Sequence, residues 1–298
     1  MRDLFFTLAD HACAGLRGQE VLLLNFAGEV TDFVRFNHAQ VRQPMTVRQA
    51  QLSMTLIDGQ RRNEVTMTLA GSPLQDRGTV TAAVQSLREE LPHLPEDPYL
   101  LYSTEATQSE RVDAGALPSA RSAVEDVVDA ARGTDLVGLL ASGPVMRGFA
   151  SSVGARHWHS VDAFLLDWSL YQSGDKAVKC AWSGSAWDRA ELDRRIGDAR
   201  QQLAHLATSP LTLEPGEYRA YLAPAALDDL LWMLNWGGVS GKAQRTKQSC
   251  IQKLVEGEAA FSPLVGIAED IAGGLAPAFD EAGFTKPARV DLVREGRH

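Results

Sequence analysis

Two histidines separated by a single residue could hold a metal ion. His157 and His159 flank Trp158, and residues two apart on a β-strand point to the same face. Two imidazoles on one face could bind zinc if a third ligand, such as His205 or Cys180, came close. The alternative is a pair of ordinary histidines on a half-exposed strand, because neither H-E-x-x-H nor C-x-x-C occurs near them. The residues alone leave both interpretations open, including an independent hydrolase built on this pair.

A glycine-rich segment, residues 237–242, resembles a phosphate-binding loop in its composition. A Walker loop requires a glycine five residues before its Gly-Lys pair and a Ser or Thr directly after the lysine. Trp236 and Ala243 occupy those positions, so the pattern fails twice. The segment therefore predicts a glycine turn between helices.

The composition excludes several classes of protein. Of the 298 residues, 45% are hydrophobic, which is typical of a globular chain. The charge is −9, from 29 basic and 38 acidic side chains, and it disfavours a nucleic-acid partner. No apolar run reaches the roughly 18 residues of a membrane helix, and Asp3 and Asp10 argue against a secretory signal. Since the three cysteines are too few for a disulfide framework, we expect a cytoplasmic protein without membrane or nucleic-acid partners.

The spacing of apolar residues predicts an α+β protein. Four successive strands, the last two joined by Asp58-Gly59, imply an antiparallel sheet. The polar segment 104–118 has no period and predicts a surface connection, and Gly143-Pro144 is expected to end an apolar run. We place a cap for the last long helix at Ser185. The predicted elements are a helix at 3–16, strands at 21–30, 32–42, 47–56 and 63–70, helices at 76–91 and 120–132, three or four strands within 145–182, and a helix at 185–206.

A segment with two prolines, residues 209–216, marks the predicted domain boundary. We predict an N-terminal mixed α/β domain at residues 1–210, with antiparallel sheets flanked by helices. Residues 211–298 are expected to be the start of a β-rich C-terminal domain, which opens with a strand at 217–222 and a helix from Pro224. That helix is rich in Trp and Leu, which fits either a core or an interface.

The order of several motifs resembles the TldD/PmbA (TldE) family, and the resemblance extends along the whole chain. Members of that family usually continue past the position of His298 with a β-rich C-terminal domain, so the resemblance implies a C-terminally short member. The matching segments are R-F-N-H-A-Q-V-R-Q at 35–43, D-W-S-L-Y at 167–171, P-G-E-Y-R-A-Y-L-A-P at 215–224, F-D-E-A-G-F-T at 279–285 and L-V-R-E-G at 292–296.

The zinc-bearing subunits of that family carry H-E-x-x-x-H on the helix after the position of Pro224. The two histidines bind the metal and the glutamate activates its water. Laid on this chain, the motif falls on Trp232, Met233 and Gly237, none of which can ligate zinc or act as a general base. The chain therefore resembles the TldE/PmbA-like branch, which lacks the motif. This implies no catalytic residue, metal ligand or cofactor in this chain.

The resemblance implies a non-catalytic subunit of a TldD/TldE-type zinc metalloprotease complex that degrades or processes unfolded peptides. The expected partners are a TldD-like subunit, which would hold the zinc, and the unfolded peptide. Arg35, Asn37 and Gln43 are the candidate peptide contacts, and packing or turn roles are the alternative explanation for these residues. Peptide binding by strand addition would use backbone groups and leave little signature in the sequence. The alternative is a regulatory or binding protein of the same fold that modulates DNA gyrase or a toxin system. Whether the chain is itself an enzyme stays open.

Overall fold

The computed structural model describes all 298 residues, which form two compact units. One contains residues 1–209 and 279–286, and the other contains residues 210–278 and 287–298. No helix is long and apolar enough to cross a membrane. The elements are α1 (Arg2–Ala14), β1 (Val21–Asn37), β2 (Gln40–Asp58), β3 (Arg61–Thr68), α2 (Pro73–Glu90), β4 (Gln108–Asp113), α3 (Ala120–Ala130), β5 (Asp135–Ser151), β6 (Arg156–Ser173), β7 (Lys176–Gly184), α4 (Arg189–Leu206), α5 (Pro224–Asn235), α6 (Gly241–Arg245), α7 (Gln252–Val255), β8 (Ile267–Asp270) and β9 (Arg289–Val293).

A seven-stranded sheet is the centre of the first unit. Its strands lie in the order β3-β2-β1-β5-β6-β4, and β7 also pairs with β6. Every pair is antiparallel except β4 with β6. β4 lies beside the first part of β6 and β7 beside the rest, so both strands share one edge of β6. The expected α+β class with a mainly antiparallel sheet is confirmed.

The four long helices of this unit cover one face of the sheet. Even-numbered side chains of β1 point to that face, because side chains alternate along a strand. Leu22, Leu24 and Phe26 belong to the core under α1 and α2, while Val34 and Phe36 belong to the core under α3 and α4. The long strands therefore carry two successive hydrophobic cores on the same face.

The odd-numbered face is only partly covered. A third, smaller core lies there, and residues 279–286 of the same unit contribute to it through Phe279. Away from this cluster the face keeps partly exposed side chains, among them Met45, Val137 and Leu165.

The first hairpin differs from the predicted one. The segments expected as two strands, 21–30 and 32–42, form one strand as far as Asn37, and the chain turns at His38 and Ala39. Both turn residues have positive φ, 50° and 53°. Two-residue hairpin turns require that conformation and usually use Asn or Gly, so His and Ala give little sequence signal. The hairpin predicted at Asp58-Gly59 is confirmed.

Three further boundaries differ from the sequence prediction. Residues 108–113 form β4 rather than a loop, because an edge strand can be polar on both sides. β5 continues through Gly143-Pro144 instead of ending there. The cap of α4 is Asp188, whose carboxylate accepts a hydrogen bond from the N–H of Ala190 at 2.9 Å, and not Ser185.

The second unit contains α5, α6, α7 and a two-stranded antiparallel sheet of β8 and β9. A helix begins at Pro224, as predicted, with the proline in the first turn where its missing N–H costs nothing. The strand predicted at 217–222 is wrong, since these residues form no regular element. No neighbouring strand is present to pair with them, and β-propensity without a partner does not make a strand.

Candidate functional site

Helix α5 carries two of the three positions on which the zinc motif falls. Trp232 and Met233 lie in its second half, and Gly237 follows the helix with a φ of +85°. These positions offer an indole, a thioether and no side chain, whereas zinc is bound by imidazole, thiolate or carboxylate. The residues present do not fit a zinc ion.

A pocket of about 260 Å³ lies between α5 and the small sheet. Its polar side chains are Asp228, Asn235 and Glu269, and no histidine or cysteine lines it. Nowhere in the chain do three His, Cys, Asp or Glu side chains come together in a group that could hold a metal ion. The apolar wall of the pocket includes Leu231, Trp232, Val239, Ile251, Phe261 and Val293.

α5 exposes an unusual amount of apolar surface. None of its twelve residues is buried, although most are apolar. Trp236, directly after the helix, is 91% exposed. Contiguous exposed apolar patches on folded proteins usually mark interaction sites. We call this region the α5 surface, and it consists of Leu227, Leu230, Trp232, Met233 and Trp236.

The three residues expected to contact a peptide lie on the β1–β2 hairpin. Arg35 and Gln43 are direct cross-strand partners, and both side chains are exposed. Asn37 is half-buried at the end of β1, paired with Gln40 beside the turn. The structure thus brings Arg35 and Gln43 together on two strands and leaves Asn37 at the tip of the hairpin.

The two histidines share a face of β6, as the spacing predicts, but the imidazole of His157 is engaged by hydroxyl groups. The Oγ1 of Thr107 lies 3.0 Å from Nε2 of His157, and the Oγ of Ser109 lies 2.7 Å from Nδ1. His157 is only 1% exposed, and burial lowers its pKa. Both histidines are buried and not half-exposed, and neither belongs to a group of three or more His, Cys, Asp or Glu side chains that could hold a metal ion.

The glycine-rich segment is a turn between two helices, as predicted. Gly237 adopts the left-handed conformation after α5, and α6 begins at Gly241. The Oγ of Ser240 accepts a hydrogen bond from the N–H of Ala243 and caps α6. The segment therefore connects helices and gives no phosphate-binding loop.

The sequence matches no protein-family model and no curated protein significantly. The structure, in contrast, is similar to several solved structures. A candidate modulator of a DNA gyrase from Thermotoga maritima superposes with a TM-score of 0.71 at 12% identity, over 99% of this chain and 69% of that one. TldE from Thermococcus kodakarensis superposes with a TM-score of 0.66 at 12% identity, over 99% of this chain and 67% of that one. The chain has the TldE fold.

A second candidate modulator of DNA gyrase, from Bacteroides thetaiotaomicron, superposes on this chain with a TM-score of 0.69. Its identity to this chain is 14%, over 99% of this chain and 70% of that one. The fold implied by the sequence resemblance is therefore confirmed. At these identities the likeness concerns the fold, and any function has to be argued from the residues of this chain.

Two regions of the chain offer side chains suited to binding. Around α5 the chain offers an apolar surface and a pocket with two carboxylates, and around the β1–β2 hairpin it offers arginine and amide side chains. The sequence indicates both regions but not the pocket, because the walls of the pocket come from segments far apart in the chain.

Proposed function

We propose that this chain is a non-catalytic, TldE-like subunit of a TldD/TldE-type zinc metalloprotease complex that acts on unfolded peptides. The observation that carries the proposal is the chemistry of α5. Trp232, Met233 and Gly237 occupy the three positions on which the H-E-x-x-x-H motif falls. The side chains around them provide no other set of metal ligands. A chain of this fold with such a helix can contribute to a peptidase by binding.

The partner in this proposal is a TldD-like subunit that carries the zinc. The α5 surface supplies the kind of apolar, aromatic contact on which stable protein interfaces depend, because Trp and Met are enriched at interface centres. The three cysteines are free, which agrees with a reducing compartment and hence with the cytoplasm.

Co-purification from the native host tests the proposal. The tagged full-length chain is expected to recover a stoichiometric protein with an intact H-E-x-x-x-H motif. The reconstituted pair is expected to cleave an unfolded polypeptide such as reduced, carboxymethylated lactalbumin, and cleavage should stop with a zinc chelator. Equal cleavage by the partner in the absence of this chain would refute a subunit role.

A second function is favoured by two of the similar structures, which are described as candidate modulators of DNA gyrase. On this view the chain is a regulatory protein of the same fold without a role in proteolysis. A net charge of −9 disfavours direct contact with DNA, so such a modulator would bind the enzyme or its inhibitor. Recovery of gyrase subunits or a toxin, and of no zinc peptidase, would support this function over the first.

A further inference from the structure

β2 has an outer edge that no strand covers over its first half. It pairs with β1 along its whole length but with β3 only from Gln51 onward. The N–H of Leu69 donates to the carbonyl of Ala50 at 2.8 Å, and this is the last bond on that side. Residues 40–49 are consequently a strand with one open edge, and nearly all of them are exposed.

The alternation of the strand fixes which backbone groups point outward. Since the carbonyl of Ala50 faces away from β1, the N–H and C=O groups of Arg48 and Thr46 face the same way. The backbone groups of Pro44 also face away from β1. Proline has no N–H, and at this position β1 needs no donor from it. The open edge therefore presents paired donors and acceptors at Thr46 and Arg48.

The charge of this region is opposite to that of the whole protein. Residues 33–57 contain Arg35, Arg42 and Arg48 and no Asp or Glu, in a chain with a net charge of −9. Arg42 is the extra residue of a β-bulge in β2, since Gln43 pairs with Arg35 and Val41 pairs with Phe36. Its side chain is exposed. A segment that pairs with this edge would meet positive charge along its length.

A groove of about 600 Å³ runs beside the same edge. Its acidic members already have partners, because Asp32 accepts a hydrogen bond from Thr46 at 2.5 Å and Glu125 lies 3.9 Å from Arg121. Alternate side chains of an added strand would have apolar walls to contact there. Those walls are formed by Val34, Val41 and Pro44 of the hairpin and by Ala120 and Val124 of α3.

A second copy of this chain is a poor occupant of the edge. Antiparallel self-pairing centred on Met45 would set Arg42 of one copy against Arg48 of the other, twice in each dimer. Like charges directly opposite each other destabilise a strand pair. Proline and positive charge are also the devices with which exposed edges avoid pairing with themselves. The same arginines attract a strand of opposite charge.

We propose that the open edge of β2 binds an extended acidic peptide segment as an additional strand. The backbone of the segment pairs with Thr46 and Arg48. Arg48, Thr46 and Pro44 share the helix-covered face of β2, so on the same face of the segment a carboxylate lies beside Arg48 and an apolar side chain two or four residues away enters the groove beside α3. The site belongs to this chain alone, so it does not depend on a peptidase partner. If the co-purification experiment recovered no zinc-bearing partner, the proposal of a peptide site on β2 would be unaffected.

Fluorescence anisotropy with the full chain tests the proposal. The probe is a fluorescein-labelled peptide of sequence E-T-V-T-E-T-V-T-E, capped at both ends, in which Glu and Val alternate along one face, and the control has Lys in place of every Glu. We expect saturable binding of the acidic probe and at least about tenfold weaker binding of the basic one. Methylation of alternate backbone nitrogens of the probe is expected to abolish binding, because strand addition requires those groups. Equal affinity for both peptides, or no saturation with either, would overturn the proposal.

Variants of the edge separate strand addition from simple attraction between charges. Thr46→Pro removes one outward N–H and is expected to weaken binding of the acidic probe about tenfold relative to Thr46→Val, which loses the hydroxyl bond to Asp32 but keeps the N–H. Arg48→Glu reverses a charge without changing the backbone and is expected to weaken binding by a similar factor. Arg77→Glu, at an exposed position of α2, makes the same charge change away from the edge and should leave affinity unchanged. If Thr46→Pro is folded and binds as wild type, the contact is electrostatic only and the proposed strand addition is wrong.

Discussion

The ring of Phe279 stacks on the imidazole of His157, with 5.1 Å between ring centroids and 20° between ring planes. The two residues are far apart in sequence but belong to the same unit. The segment that follows Phe279 is tied down as well, since the N–H of Ser103 donates to the carbonyl of Ala282 at 2.9 Å. Residues 279–286 thus cover the odd-numbered face of the sheet around a buried histidine.

Phe279→Ala is expected to destabilise the protein by about 3–5 kcal/mol, because it removes a buried ring and leaves a cavity against His157. Urea unfolding measured by far-ultraviolet circular dichroism is the assay. Phe284→Ala, in the same segment but with an exposed ring, is the matched control and should cost under about 1 kcal/mol. Equal losses from the two variants would mean that the segment does not pack on the sheet.

The stability of the protein is expected to fall on mild acidification through His157. Burial lowers the pKa of this imidazole below its ordinary value of 6.5, so the unfolded chain binds a proton first. The contribution is complete above pH 6.5 and is lost as the pH falls below it. Melting temperatures between pH 5 and 8 should show a smaller slope for His157→Gln than for wild type. An identical slope would show that another group is responsible.

Local signals in the sequence were sufficient for much of the fold. The helices now seen as α2, α3 and α4 have apolar residues every three to four positions, and the Asp58-Gly59 turn has its usual chemistry. Pro224 marked the start of α5 for a similar reason. These features depend on neighbours along the chain, which a sequence shows directly.

Features that depend on distant contacts could not be predicted in this way. The turn at His38 and Ala39 is imposed by the pairing of β1 with β2, and the polar strand β4 exists because β6 offers it an edge. An apolar helix such as α5 has the same sequence pattern whether it is core or interface. The open edge of β2 had one sequence signal, the absence of acidic residues from 33 to 57, but its meaning depends on where β3 stops.

The ion pair between Glu20 and Arg88 is expected to contribute more to the stability of the protein than the exposed ion pairs do. Arg88 donates to both carboxylate oxygens, at 2.6 and 2.8 Å, and the side chains are 8% and 16% exposed. Arg88→Met would leave the shielded carboxylate of Glu20 without a positive charge and with only the N–H of Arg17 as a donor, at a cost of about 3 kcal/mol. The matched control is Arg132→Met, whose ion pair with Asp129 is exposed, and it should cost under about 1 kcal/mol.

The same pair makes a further distinction possible. The hydrogen bonds that Arg88 donates lower the pKa of the Glu20 carboxylate. The ion pair therefore stabilises the protein above the ordinary pKa of a glutamate, and this stabilisation is lost as the pH falls through the lowered value. The double variant Glu20→Met with Arg88→Met should recover part of the loss seen in the single variant. If the double variant is as unstable as the single one, packing of the arginine stem and not its charge is the main contribution.

Gly143→Ala is expected to be among the most destabilising small substitutions in the sheet. The φ of Gly143 is +148°, and an added Cβ would lie 2.1 Å from the carbonyl oxygen of Val30 on the adjacent strand. The substitution should cost about 3 kcal/mol in chemical denaturation, as β1 and β5 must separate. Gly174→Ala tests the conformational part alone, since its φ of +58° is also left-handed but no atom lies within 4 Å. A loss of about 1–2 kcal/mol is expected there. Similar losses at both sites would show that the close approach to Val30 is absent.

Trp236→Ser is expected to separate binding from folding at the α5 surface. The indole is 91% exposed, so its removal should change the free energy of unfolding by no more than about 0.5 kcal/mol. If the TldD-like subunit covers α5, the same change should weaken the complex at least about tenfold, because tryptophans dominate interface energetics. Sedimentation velocity of the purified pair measures this, with Leu74→Ser as an exposed apolar control on α2. Unchanged affinity in a folded variant would place the interface elsewhere and leave the apolar surface of α5 to another ligand.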